Sequence, residues 1–187
     1  MDDRRQWMAL ALAAALTAVA LQGVPSWESA LTDVCVQAFL FAGATIVALL
    51  VTRFLGSAGI AIERAWSAVF LAGMPVVYIV RWLVAEGGGA HPAWLSVELL
   101  GLPVYAGLAV AGLRSSPWFL VAGIAAHGLA WDSWHYLNTA YIPVWYVIGC
   151  LLVDVGLSLY LATRVPAWRE WERARPIPGT ALPQEPR

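Results

Sequence analysis

The run from His127 to His135 holds the densest set of side chains in this sequence that could do chemistry. At about 100° per residue of α-helix, His127, Trp131 and His135 fall within an arc of about 80°, and Asp132 lies about 60° beyond His135. These side chains therefore share one broad helix face. Imidazole and carboxylate groups exchange protons and bind divalent metals, so the pattern favours acid/base or metal chemistry.

Two more acids, Glu98 and Asp154, are candidates to act together with this helix face. Three alternative roles are open for the combined set. In the first, Glu98, Asp132 and His135 bind a divalent metal such as zinc, manganese or iron, between which the sequence does not choose. In the second, His127 and Asp154 form an acid/base pair without a metal. In the third, the same groups only join helices through hydrogen bonds. Because His127 lies about 12 Å along the helix axis from His135, the two imidazoles cannot bind one ion in a regular helix.

The composition predicts that these groups lie inside a membrane. The chain has 187 residues, of which 60% are hydrophobic and 12% charged, against about 45–50% and about 25% in soluble domains. So much apolar surface cannot be hidden inside a small globule, which excludes a soluble protein. All the basic residues are arginine, and they form no basic patch suited to nucleic acid.

Hydropathy predicts an all-α membrane bundle of six transmembrane helices joined by short links. A bilayer core about 30 Å thick needs roughly 20 apolar residues of helix. The six runs that meet this length are 7–24, 31–52, 59–85, 92–113, 117–137 and 143–163. We therefore expect one transmembrane domain over residues 1–165. Residues 166–187 should form a cytoplasmic interfacial helix, 166–175, with Trp168 and Trp171 at the headgroups, and a disordered tail.

The distribution of arginine predicts the orientation. With the N-terminus inside, every arginine except Arg81 lies on the cytoplasmic side, so both termini are expected there, in the inner membrane. Counting the rise along each span then places His127 and Asp154 in one layer, roughly 15 Å deep. Glu98 and Asp132 fall in a shallower layer, and the polar groups form a column open to the outer face.

Other residues have predicted supporting roles. Trp131, Arg81 and Cys150 are candidates to line a substrate pocket, since Trp131 could shelter a cation with its ring. Glu63 and Arg64 are expected to be an anchoring pair that reaches interfacial water.

An ordered set of motifs accompanies the His127 to His135 run between about residues 73 and 161. These are Glu98-Leu99-Leu100-Gly101, Leu113-Arg114-Ser115-Ser116-Pro117-Trp118, H-x-x-x-W-D-x-x-H, Pro143-x-Trp145-Tyr146 and Cys150-x-x-x-Asp154. In this combination the chain resembles an uncharacterised family of small multipass bacterial membrane proteins. The resemblance supports the fold and the site positions and implies no activity.

The leading functional hypothesis is a membrane-embedded hydrolase, isomerase or cyclase that acts on a lipid or isoprenoid substrate. His127, Asp154, Asp132 and Glu98 are its candidate catalytic residues, with a divalent metal as the cofactor of the hydrolytic version. Its partners would be membrane lipids and a hydrophobic small molecule. Two alternatives remain open, namely transport or sensing of protons or divalent cations, and a purely structural polar network.

Overall fold

The computed structural model describes residues 7, 8, 11, 12, 15, 33–84 and 92–174, and over these ranges the regular elements are all helical. The predicted all-α class is therefore confirmed. The elements, in chain order, are α1 Val34–Thr52, α2 Gly56–Val84, α3 Pro92–Arg114, α4 Trp118–Ala126, a π-helix His127–Asp132, α5 Ser133–Asn138 and α6 Val144–Ala174.

Four of these helices, α1, α2, α3 and α6, are each long and apolar enough to cross a membrane. Their outer surfaces carry large apolar side chains such as Val47, Val69 and Leu100, which are 58%, 58% and 63% exposed. Such a surface is suited to lipid and identifies an apolar, multi-pass helical protein.

The predicted count of six is not what the described residues show, since four single helices of spanning length are present. The first predicted span, 7–24, lies mostly outside the described residues. The fifth, 117–137, is helical from Trp118 to Asn138, but the π-helix divides it into short pieces. A hydropathy count cannot detect that division, because it measures apolar length and not the hydrogen-bond pattern.

The turn between α1 and α2 is tighter than the sequence predicts. Gly56 has a positive φ of 57°, which glycine adopts without the steric cost of a Cβ. A Cβ on Gly59 would lie 1.9 Å from the Thr52 carbonyl oxygen, so only glycine allows the two helices to approach this closely. As a result α2 begins at Gly56, three residues before the predicted start.

The helices pack in sequence order, with α2 against both α1 and α3, α3 against α4, and α6 against α4 and the π-helix. Short links favour this arrangement of neighbouring antiparallel helices. Two close approaches use glycine, since a Cβ on Gly112 would lie 2.4 Å from Leu120 and a Cβ on Gly123 would lie 2.7 Å from Leu71.

The last helix, α6, runs without a break through Pro166 to Ala174, where a separate interfacial helix from residue 166 was expected. Trp168, predicted at the headgroups, is fully buried. Its indole nitrogen donates a hydrogen bond of 2.7 Å to Glu63. The apolar pattern of residues 143–163 does not extend this far, and the polar contact of Trp168 replaces it in holding the helix to the bundle. Residues 175–187 lie outside the described ranges.

Glu63 is the centre of a buried cluster, which we call the Glu63 cluster, formed with Tyr160, Arg164 and Trp168. The Tyr160 hydroxyl donates to Oε1 over 2.5 Å, and Arg164 Nε lies 2.9 and 3.0 Å from Oε1 and Oε2. The expectation that Glu63 reaches interfacial water is therefore wrong, since the side chain is 0% exposed. It joins α2 to α6.

Arg64 also joins helices. Its guanidinium donates to the carbonyls of Gly112 and Leu113, at 3.0 and 3.2 Å, and pairs with Glu172 over 2.5 Å. These carbonyls lie at the C-terminal end of α3, where a cation complements the helix dipole. Arg64 thus links α2, α3 and α6 and is also buried.

Candidate functional site

The π-helix changes which side chains of the His127 to His135 run lie on the same face of the helix. In an α-helix, Asp132 would lie about 140° around the axis from His127. A π-helix pairs residues five apart, and its occurrence as a single turn is frequent at functional sites. Here the π-helix begins at His127 and ends at Asp132, and it brings the two side chains together.

His127, Asp132 and Asp154 form what we call the His127 cluster. Nδ1 of His127 lies 2.8 Å from Oδ2 of Asp154 and 3.5 Å from Oδ1 of Asp132. All three residues are buried. Gly128 makes the approach of α6 possible, because a Cβ at this position would lie 2.8 Å from Cβ of Asp154.

Tyr78 of α2 connects this cluster to the next turn. Its hydroxyl donates a hydrogen bond to Oδ1 of Asp132. Its ring stacks on the His135 imidazole with centroids 4.1 Å apart and planes 18° from parallel. A single fully buried tyrosine therefore fixes the positions of both an acid and an imidazole.

Glu98 and His135 form a second polar group with Tyr141. His135 Nε2 lies 3.1 Å from Glu98 Oε1, although its direction does not satisfy hydrogen-bond geometry. The Tyr141 hydroxyl donates to the same oxygen over 2.6 Å. Burial and the hydrogen bond to Glu98 raise the pKa of Tyr141, so this hydroxyl keeps its proton and acts as a donor.

Several buried polar atoms of the site have no hydrogen-bond partner among the described residues. They are Nε2 of His127, Oδ2 of Asp132, Oε2 of Glu98, Nε1 of Trp131 and Nε2 of His135. A buried polar group without a partner costs about 1–3 kcal/mol. So many in one region indicate that water, an ion or a substrate group completes the site.

A cavity of about 170 Å³ lies beside the His127 cluster. Side chains of α1, α2 and α6 form most of its wall, and His127 and Asp154 are among the lining residues. Phe41 and Val69 also line it and are 43% and 58% exposed, so the cavity reaches the apolar outer surface of the bundle.

The predicted pocket residues occupy different places. Cys150 lines the cavity, beside Asp154 on α6. Trp131 packs edge-on against Tyr105 and His135, with centroids 5.6 and 5.9 Å apart. Arg81 donates to the Tyr141 carbonyl oxygen over 3.1 Å, near the Glu98 group and not among the residues that line the cavity.

The predicted metal ligands do not form one group. The structure places Glu98 with His135 and places Asp132 with His127 and Asp154. Within the described residues, His127, Asp132 and Asp154 are the set whose ligand atoms all lie within 4.8 Å of one another. The π-helix explains why Asp132 joins this set. It turns the Asp132 side chain toward His127, away from the position that the side chain would have in an α-helix.

Three tyrosines that contact the site were not predicted from the sequence. Tyr78 donates to Asp132 and Tyr141 donates to Glu98. Tyr105 packs edge-on against His127, with ring centroids 5.1 Å apart. The predicted site is built on side chains that carry a charge or can gain one near neutral pH, and a neutral tyrosine hydroxyl is not of this kind. The available signal was the position of Tyr78 and Tyr105 in the middle of apolar spans, since membrane tyrosines prefer the interfaces.

Comparisons with protein-family models, curated proteins and solved structures found no match to this chain. The resemblance to a family of small multipass membrane proteins therefore stays a prediction.

Proposed function

We propose that this protein is a membrane-embedded enzyme that acts on a lipid or isoprenoid substrate at the His127 cluster. In this proposal the multi-pass chain lies in the inner membrane with both termini in the cytoplasm, and the chemistry is acid/base or metal-assisted. The observation that carries the proposal is an apolar cavity whose wall includes a buried imidazole paired with a buried carboxylate.

His127 has the surroundings of a general acid or base. Nδ1 faces Asp154 over 2.8 Å, and a carboxylate in that position favours the tautomer that carries its proton on Nδ1. The opposite nitrogen, Nε2, then has a free lone pair, and it has no partner among the described residues. It can take a proton from a substrate, while Asp154 orients the ring and stabilises the imidazolium that forms.

The cavity wall favours an apolar substrate. Phe39, Phe70 and Met74 contribute to it, together with Val69 and Phe41 at the exposed side. A volume of about 170 Å³ accommodates part of a hydrocarbon chain, and the exposed lining residues allow entry from the bilayer. A water-soluble polar substrate would lose its hydration there and find few hydrogen-bond partners, because most of the lining is apolar.

Asp132 and Glu98 are proposed as the second acids. Each accepts one tyrosine hydroxyl and keeps a second oxygen without a partner among the described residues. Hydrolysis, isomerisation and cyclisation all need a second group that can hold or deliver a proton.

Transport is the second candidate function, because polar side chains continue along α6 from Asp154 through Ser158 to Tyr160. Tyr160, however, donates to Glu63, both oxygens of which are bonded to Arg164. On this route a cation would meet a carboxylate that is already paired with Arg164. The arrangement therefore favours a pocket closed at this end.

The experiment is a comparison of lipid extracts by mass spectrometry from cells that express the wild type, His127→Ala or no protein. We expect lipid species that depend on the wild type and are absent with His127→Ala. The matched control is Tyr136→Phe on the exposed side of α5, which should behave as the wild type. Identical extracts from all cells would contradict the proposal.

A further inference from the structure

The three residues of the His127 cluster have the spacing of metal ligands. The distances from Nδ1 of His127 to the two aspartate oxygens are 2.8 and 3.5 Å. Two ligands about 2.1 Å from a tetrahedral zinc ion lie about 3.4 Å apart. Small side-chain rotations would therefore let one ion contact all three residues.

Charge balance supports an ion at this position. Asp132 and Asp154 are both buried, and buried carboxylates are neutralised by protons, by basic side chains or by metals. Two arginines of α2 and α6 bond to other groups, Arg81 to the Tyr141 carbonyl and Arg164 to Glu63. One divalent cation would balance the two carboxylates and leave a neutral imidazole.

Two further observations point to a ligand. Oδ2 of Asp132 is buried and has no partner among the described residues, although Oδ1 of the same carboxylate lies next to His127. The Tyr78 hydroxyl donates to Oδ1. An outer donor of this kind is typical of carboxylates that bind metals, since it orients the ligand and tunes its basicity.

We propose that His127, Asp132 and Asp154 bind one divalent transition-metal ion, for which zinc is the probe. Nitrogen and oxygen donors of this kind suit zinc, manganese or iron(II). Three protein ligands leave a position for water or a substrate oxygen, on the side of the cavity that His127 and Asp154 line. With the ion bound, Nδ1 of His127 would be a ligand without a proton, so metal-assisted chemistry would replace the acid/base role of Nε2. This use of the ion rests on the proposed function, whereas its binding does not.

The test measures zinc in the purified full-length protein. The protein is stripped with a chelator, reloaded with zinc, separated from free metal and analysed by mass spectrometry. The wild type should retain one zinc ion per chain, and Asp154→Asn and His127→Gln should bind zinc more than about 100-fold more weakly, since both remove a direct ligand.

The matched controls are Glu98→Gln and His135→Gln, which alter the neighbouring group and should retain the ion. They separate this site from the alternative set Glu98, Asp132 and His135, in which the same two variants would lose the metal. Loss of zinc in the controls with retention in Asp154→Asn would overturn the proposal. So would the absence of stoichiometric zinc in the wild type.

A second measurement does not depend on the folding of a variant. Added zinc should raise the melting temperature of the stripped wild type in proportion to the logarithm of its concentration, because it binds the folded state. No rise would overturn the proposal. If wild-type cells make His127-dependent lipids while the protein binds no metal, this inference fails and the enzymatic proposal stands on acid/base chemistry.

Discussion

Two buried polar clusters both involve α6, and they differ in how fully their hydrogen bonds are made. In the Glu63 cluster, both carboxylate oxygens are bonded, to Tyr160, Arg164 and Trp168. In the His127 cluster, Oδ2 of Asp132 and Nε2 of His127 have no partner among the described residues. α6 contributes to both, together with α2 in the first and the π-helix in the second.

The difference is the one expected between a structural role and the functional role proposed for the His127 cluster. A fully bonded buried ion pair fixes the relative position of helices and has nothing left with which to bind a ligand. A cluster with unused donors and acceptors beside a cavity destabilises the protein by itself, and a ligand can recover that cost. Burial and residue type alone do not distinguish the two clusters, whereas the state of each polar atom does.

The largest effect on stability is expected from Glu63→Gln. This change removes the charge that compensates Arg164, and breaking a buried pair costs about 3–5 kcal/mol. Thermal unfolding in detergent should show a large fall in melting temperature. The control is Glu170→Gln, at an exposed position of α6, for which the change should stay within about 0.5 kcal/mol.

Equal stability of Glu63→Gln and Glu170→Gln would contradict a structural role for the Glu63 cluster. A folded Glu63→Gln protein that binds zinc as the wild type does would sharpen it, since the two clusters would then be shown to act independently.

An intermediate effect is expected from Gly128→Ala. The new Cβ would lie 2.8 Å from Cβ of Asp154 and 3.4 Å from the Leu151 carbonyl oxygen, so α6 must move away. Overpacking of this kind costs about 1–3 kcal/mol, and it should also separate His127 from Asp154. Unfolding in detergent measures the first effect, and the lipid profile of expressing cells measures the second.

Gly107→Ala is the matched control, because a Cβ at Gly107 in α3 meets nothing within 4 Å. Its stability should equal or slightly exceed that of the wild type. Similar losses in both alanine variants would show that close packing at Gly128 does not hold the cluster together.

The sequence predicts the bounds of α1 and α3 well, because hydropathy depends only on local composition. The predicted runs 31–52 and 92–113 differ by at most three residues at either end from α1 and α3. The rise along each helix also predicts one layer for His127 and Asp154, and their side chains are in contact.

The remaining features depend on contacts between distant residues. The π-helix that turns Asp132 toward His127 has no signature in hydropathy, and it alters the angular position assumed for every later residue of that run. Tryptophan is a residue type that favours the membrane interface, which is why Trp168 is predicted there. Its hydrogen-bond partner, Glu63, lies on α2, more than one hundred residues earlier in the chain. Neither feature follows from local pattern.

The smallest effect on stability is expected from Tyr78→Phe, which keeps the ring stacked on His135 and removes only the hydroxyl that bonds Asp132. Single hydrogen bonds between membrane helices contribute about 0.6 kcal/mol on average, so the melting temperature should change little. Zinc affinity, in contrast, should fall about 10- to 100-fold, as for other outer partners of metal ligands. Tyr136→Phe, on the exposed side of α5, controls for the loss of a hydroxyl. A large fall in stability with unchanged zinc binding would instead show that Tyr78 has the same role as the Glu63 cluster. Tyr78 would then hold helices together and have no effect on the affinity of the site for zinc.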